Sequence, residues 1–294
     1  MLTPRPRVLQ PVEYGNPASF WVEYPSGLVD LTRSAHLPGA AAANDNSDHQ
    51  DTAPVPPLVP TTQWELAVDT DRTLRLSKDR CAFVIIDMQN YFLHPDLRDH
   101  PKGLDCVLTI ENVVPSLRGL GTKILWVNWG LTDHELTTIP PSLVRGFMKR
   151  GSGGFGSDLP GSFGRLLMRD QLNSQLYGPL QHLYEVGHRA GTDVWIHKNR
   201  MSGLWGPQSA LDLYLQEQGI TTLFFAGVNA DQCVLGTLVD SYFRGYDNIV
   251  LRDCTATTSP QGGLENVLYN SVNSYGFVTD STKVIAAAEK AKLQ

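Results

Sequence analysis

From Leu74 onward the chain alternates short apolar runs that end near polar residues with longer stretches whose apolar positions recur at helical spacing. That alternation predicts repeated β-α units and a mostly parallel sheet. Strands are predicted at CAFVIID (81–87), TKILWVN (122–128), DVWIH (193–197), TLFFAGV (222–228) and DNIVLRD (247–253), with a short GFVTD (276–280). β-branched and aromatic residues dominate them, and several are apolar throughout, as expected when helices cover both faces of a sheet. Between them, Ile110, Val113, Val114 and Leu117 keep helical spacing, with Pro115 either kinking that helix or lying near its start. Leu211, Tyr214 and Leu215 do the same, and Gly219 supplies a stop.

Two stretches depart from the alternation. Ten of the nineteen prolines fall in the first 60 residues, and GAAAANDNSDHQDTAPVPPLVP (39–60) is expected to be extended or mobile. Residues 1–78 therefore read as an N-terminal extension, partly disordered or oligomer-contacting, in which FWVEYPSGLVDLTRS is expected as a short element lying on the main body or, around 18–34, on a neighbouring subunit. The main domain is expected over 79–294. Within it, residues 130–190 are too long for a plain crossover and carry the turn-rich GSGGFGSDLPGSFG, which suggests an inserted lid or oligomer contact. Its glycines follow no strand and lack a GK[ST] ending, so a phosphate loop is not expected there.

At 294 residues, 41% hydrophobic and 18% charged, the chain has ample material for a large core. Length alone allows one large domain or two. A net charge of −6, from 24 basic and 30 acidic side chains without a basic cluster, disfavours nucleic-acid phosphates as partners. No apolar run approaches the ~20 residues that span a bilayer. MLTPRPRVLQ lacks the apolar core of a secretory signal, so a cytoplasmic protein is expected. The four cysteines, 81, 106, 233 and 254, contain no CxxC pair and are too few to staple such a chain.

In an open parallel sheet, ligands bind beyond the carboxyl ends of the strands. Three reactive side chains are placed there. Asp87 ends the first strand, Lys198 follows the third, and Cys233 lies five residues beyond the fourth, in GVNADQC. A free thiol is mostly protonated at neutral pH, so a nucleophilic cysteine needs a cation, a helix N-terminus or a base beside it. CVLGTLVDSYFRGY reads as a helix start, Lys198 offers positive charge and Asp87 offers a base. On this reading Cys233 is expected to react well below pH ~8.5. Cys81, Cys106 and Cys254 are expected to be buried small hydrophobes.

The motifs that hold these residues carry a resemblance. IIDMQNYF around Asp87, IHKNRMSGLWG around Lys198, and LFFAGVNADQCVLGTLVDSYFRGYDNIVLRDCTAT around Cys233 resemble, in order and spacing over roughly 79–284, the signature blocks of the isochorismatase-like cysteine hydrolases. The resemblance implies a three-layer α/β/α fold of Rossmann-like topology with a six-stranded, mostly parallel sheet. It also implies an Asp-Lys-Cys triad at Asp87, Lys198 and Cys233. A cis peptide bond before Asn229 is implied too, turning the backbone N–H groups of Asn229 and Cys233 into an oxyanion hole. No cofactor is implied, and family members commonly form dimers or tetramers.

Departures from the family patterns narrow the chemistry. Nicotinamidases carry a metal-binding DxH with a further histidine after the second strand, whereas NWGLTDHEL has Asp133 and His134 adjacent and no matching set. No metal is therefore expected. True isochorismatases often lack the thiol, so Cys233 favours an acyl intermediate over vinyl ether hydrolysis, which remains the alternative enzyme reading. A non-catalytic binding protein on the same fold is the other. IIDMQNYF, WVNWG and the insertion look most similar to ureidoacrylate amidohydrolases. That similarity implies a C–N bond of a small amide, ureido or N-carbamoyl substrate. It also implies Asn128 as a partner for a ureido or amide oxygen, and Phe92, Trp129, Met201 and Trp205 as an apolar wall.

Overall fold

The computed structural model describes residues 5–37, 54–148 and 153–293. Its first strands are β1 (Val12–Asn16), β2 (Ser19–Glu23) and β3 (Leu28–Asp30), followed by a hairpin of β4 (Gln63–Val68) and β5 (Arg72–Ser77). They form one five-stranded sheet in the order β1-β2-β3-β5-β4, antiparallel except where β3 runs parallel to β5. The described part of 1–78 is therefore an ordered sheet. Period-two alternation puts Trp64, Leu66 and Val68 of β4, Leu74 and Leu76 of β5 and Val29 on one buried face, which joins the main core. Trp64 stacks on Phe224 of the main sheet with ring centroids 6.0 Å apart. Most of the proline-rich stretch read as extended, residues 38–53, lies outside the described residues.

The aromatic stretch around 18–34 is held on the main body of its own chain. Asp247, fully buried, accepts hydrogen bonds from Arg33 at 2.6 and 2.7 Å, from the Trp21 indole at 2.6 Å and from the Thr222 hydroxyl at 2.9 Å. Arg33→Ala would leave that carboxylate without its cation. Breaking a buried pair on one side typically costs ~3–5 kcal/mol. Urea unfolding should show a loss of that order, and a change below about 1 kcal/mol would mean that the N-terminal sheet is not anchored there.

The second sheet consists of β6 (Cys81–Ile86), β7 (Lys123–Trp129), β8 (Asp193–Lys198), β9 (Thr222–Val228), β10 (Asp247–Ala256) and β11 (Phe277–Thr279). All six strands are parallel, in the order β11-β10-β9-β6-β7-β8, with helices on both faces. This is the expected three-layer α/β/α architecture. β6 and β9 are buried along their whole length, which is why their sequences are continuously apolar. Chain direction across the sheet reverses between β6 and β9, which makes that boundary the topological switch point.

The helices follow local signals. Pro101–Gly119 starts with Pro101 in its first turn and His100 as N-cap, and it carries Pro115 in its interior near the C-terminal end. Ala210–Glu217 is capped by Ser209, whose side chain accepts from the Asp212 N–H. Between β7 and β8 the last part of the long interval, Pro179–Arg189, is the crossover helix. The described remainder packs on the carboxyl end of the sheet through buried Leu131, Leu166, Leu167 and Leu176. Isolated bridges Leu131↔Met168 and Gln89↔Leu176 attach it there. Gly151 of the turn-rich motif lies outside the described residues. Among the described residues no helix is long and apolar enough to cross a membrane.

Candidate active site

The switch point gathers three of the sequence-predicted residues. Asp87 follows the last residue of β6 and adopts a left-handed backbone conformation, φ 55°. A non-glycine residue held there is strained, a condition that concentrates at functional sites. Lys198 closes β8, and its Nζ lies 2.9 Å from Asp87 Oδ2. Both side chains are essentially inaccessible to solvent. Cys233 is 4% exposed and sits in the single wide turn Ala230–Val234 that leads from β9 into the helix Leu235–Phe243. Gly227 makes this approach of strands possible, since a Cβ there would lie 2.0 Å from the Ile86 carbonyl oxygen.

Trp129, at the end of β7, links the group. Its ring face lies 3.9 Å from Lys198 Nζ, a cation–π contact. Its backbone N–H points at Asp87 Oδ1, 3.3 Å away, and donates to Gln89 Oε1 at 3.0 Å. The Gln89 amide returns two bonds, to the Trp129 and Ser174 carbonyls, each 2.7 Å. Lys198 Nζ also donates to the Arg200 carbonyl at 3.2 Å. Phe147 and Phe155 stack on each other at 4.2 Å and pack against the Trp129 indole.

Burial dominates the electrostatics. It raises the Asp87 pKa above the ordinary aspartate value, against the opposing pull of Lys198, a hydrogen bond from Cys233 and the Trp129 N–H. Burial also pushes the Cys233 thiol up to about 12, with Lys198 and the Trp129 indole opposing and the Asp87 charge adding to the rise. The lowered thiol anticipated from sequence is therefore corrected. Lys198 Nζ pairs with Asp87, and the thiol beside that pair, with its raised pKa, rests in the neutral form. Burial raises Cys81, Cys106 and Cys254 as well, and it is Cys233 on which the buried Asp87–Lys198 pair acts.

The peptide bond Val228–Asn229 is cis. The Asn229 carbonyl accepts from the N–H groups of Gln232 and Val234 at 3.1 and 3.3 Å, which shapes the turn that presents Cys233. The remaining predicted residues are distributed unevenly. Asn128 is fully buried, and neither of its amide atoms finds a hydrogen-bond partner among the described residues. Phe92 is buried, with the Arg98 guanidinium over its ring at 5.5 Å. Met201 is half-buried beyond β8. Trp205 is 52% exposed, and its contacts are Asn199 and Arg200 rather than the triad. Among the described residues no three His, Cys, Asp or Glu side chains gather as a metal-ligand set, and Asp133 pairs with Arg165 at 2.8 Å.

Sequence reasoning missed Gln89, Ser174 and His100. Gln89 was within reach of it, two positions beyond Asp87 in the IIDMQNYF motif. Ser174 and His100 act across loops and carried no local signal.

Comparison with known proteins agrees with the fold. The isochorismatase domain pattern covers residues 81–283. The fold is similar to that of a cysteine hydrolase from Pseudomonas syringae pv. phaseolicola, with a TM-score of 0.58 at 19% identity over 74% of this chain and 95% of the other. It is also similar to a nicotinamidase from Bacillus subtilis (TM-score 0.54, 24% identity, 68% of this chain and 99% of that one). An N-carbamoylsarcosine amidase from Thermoplasma acidophilum gives 0.52 at 23% identity, covering 69% of this chain and 96% of that one. With the domain pattern extending from β6 through β11, the chain belongs to the isochorismatase domain family of hydrolases.

Proposed function

We propose that this protein hydrolyses the C–N bond of a small amide, ureido or N-carbamoyl compound through a thioester on Cys233. The observation that carries the proposal is the buried Asp87–Lys198 pair at 2.9 Å with the Cys233 thiol near enough to the same carboxylate for each to shift the other's pKa. A carboxylate whose pKa is raised is a better match for a thiol proton, so Asp87 accepts that proton as sulfur attacks the carbonyl carbon. The backbone N–H groups of Asn229 and Cys233 stabilise the oxyanion, at a typical worth of ~3–4 kcal/mol per donor. Asp87 then delivers the proton to the departing nitrogen, and the C–N bond breaks. Water gives its proton to Asp87, adds to the thioester, and releases the acid and the thiol. Lys198 holds Asp87 in place throughout and favours its ionised form at the steps where it takes up a proton.

Support for the substrate class comes from Asn128. A buried amide without partners offers an NH2 donor group and a carbonyl acceptor side by side, the complement of a carbamoyl or ureido edge, and leaving both unmet is costly. Phe92, Trp129 and Met201 are the apolar side chains proposed to face the same substrate. Two of the similar structures are named for amide and N-carbamoyl hydrolysis, which agrees with the reading.

The test is a screen of primary amides, ureido acids and N-carbamoyl compounds for ammonia release. Its pH dependence has a definite sign. Asp87 must be ionised to act as base, and its pKa is raised, so kcat/KM should fall as pH drops through a value above the ~3.9 of an ordinary aspartate. A profile flat down to pH ~4 would exclude Asp87 as the base.

A further inference from the structure

We infer that His100 is a positioning residue for the oxyanion-binding donor at Asn229, and that Gly103 is what lets it reach there. The inference rests on the thioester reading above. His100 is 1% exposed and caps the helix Pro101–Gly119. Its Nδ1 accepts the Gly103 N–H at 2.9 Å, so that nitrogen carries a lone pair and the ring proton is on Nε2. Nε2 lies 2.8 Å from Asn229 Oδ1 and is therefore the donor in that bond. The same oxygen accepts the Thr258 N–H at 3.2 Å. Two donors from separate elements, the start of a helix and the loop after β10, thus clamp one side-chain oxygen. The Asn229 carbonyl is held independently by Gln232 and Val234, so the residue is fixed at both ends. Burial holds the imidazole below the ordinary histidine value, consistent with the neutral tautomer the geometry requires.

Gly103 completes the argument. A Cβ there would lie 2.8 Å from His100 Nδ1 and 2.7 Å from Leu93 Cδ2. Any side chain at 103 pushes the imidazole away from the helix start and off Asn229. Neither residue touches the Asp87–Lys198 pair, so the clamp acts on the backbone that binds the transition state and leaves the proton relay alone. An oxyanion donor works only in the transition state, so the effect belongs in kcat.

The experiment uses a substrate whose turnover requires Cys233. His100→Ala should lower kcat about 10–100-fold with KM within about twofold, the scale expected from misplacing one donor. His100→Gln, whose amide can place an N–H where Nε2 was, should recover most of the loss, and Gly103→Ala should behave like His100→Ala. Melting temperatures identify any variant that fails to fold, and His100→Gln with Gly103→Ala then decide the matter. Wild-type kcat in His100→Ala, or a loss confined to KM, overturns the inference while leaving the thioester reading intact. Failure of a folded His100→Gln to recover activity overturns it too. Undiminished turnover in Cys233→Ala would instead overturn the thioester reading and this inference with it.

Discussion

Cys233→Ala is expected to lower turnover of an amide or ureido substrate by about four to six orders of magnitude without loss of the fold, as removal of a nucleophile does in other covalent hydrolases. The size of the effect follows from the surroundings. Cys233 is the thiol on which the buried Asp87–Lys198 pair acts, and burial raises the pKa of Cys81, Cys106 and Cys254, which lie away from that pair. None of them can substitute. Ammonia release by purified wild type and variant checks it. Hydrolysis of a vinyl ether, in which water and not sulfur attacks, would survive the substitution, so activity of Cys233→Ala within tenfold of wild type would favour that chemistry.

Lys198→Met has the second largest expected effect, and on two observables at once. The methionine keeps apolar contact with the Trp129 ring but removes the ammonium 2.9 Å from Asp87. A carboxylate buried without its cation destabilises the fold by ~3–5 kcal/mol unless it takes up a proton. Protonation rescues stability and removes the base, so kcat at neutral pH should drop about a thousandfold. The sign is explicit: Asp87 is already raised by burial, loss of Lys198 raises it further, and the acid limb of kcat/KM therefore moves to higher pH. Partial recovery of activity on the alkaline side would confirm the order of events. An acid limb unchanged from wild type would show that Lys198 does not hold Asp87 ionised.

The main sheet was legible because its strands are buried on both faces, which forces continuous apolar runs of strand length. TLFFAGV matches β9 residue for residue. β10 runs on past DNIVLRD to Ala256, because Arg252 and Asp253 fall where its pairing with β9 shifts register, and Thr255 and Ala256 then rejoin it. The N-terminal sheet was overlooked for a different reason. QWELAV and RTLRLS alternate as strands should, around a turn with Thr70 and Asp71 at positive φ, but the proline density before them suggested an unstructured segment. At the site, Asp87, Lys198 and Cys233 were readable as reactive groups near strand ends. The state of the thiol was not, because burial sets it and burial is a property of the assembled site. His100 was invisible for the same reason: its partners lie on a helix start, on the turn after β9 and on the loop after β10.

The central claim is a covalent bond between substrate and Cys233, and peptide mass mapping tests it most directly. Enzyme mixed with a slowly deacylated substrate and quenched in acid should carry the acyl mass on the peptide containing Cys233, and Cys233→Ala should carry none. An acyl group on Cys81, Cys106 or Cys254, or full turnover by enzyme whose Cys233 has been alkylated, would contradict the account.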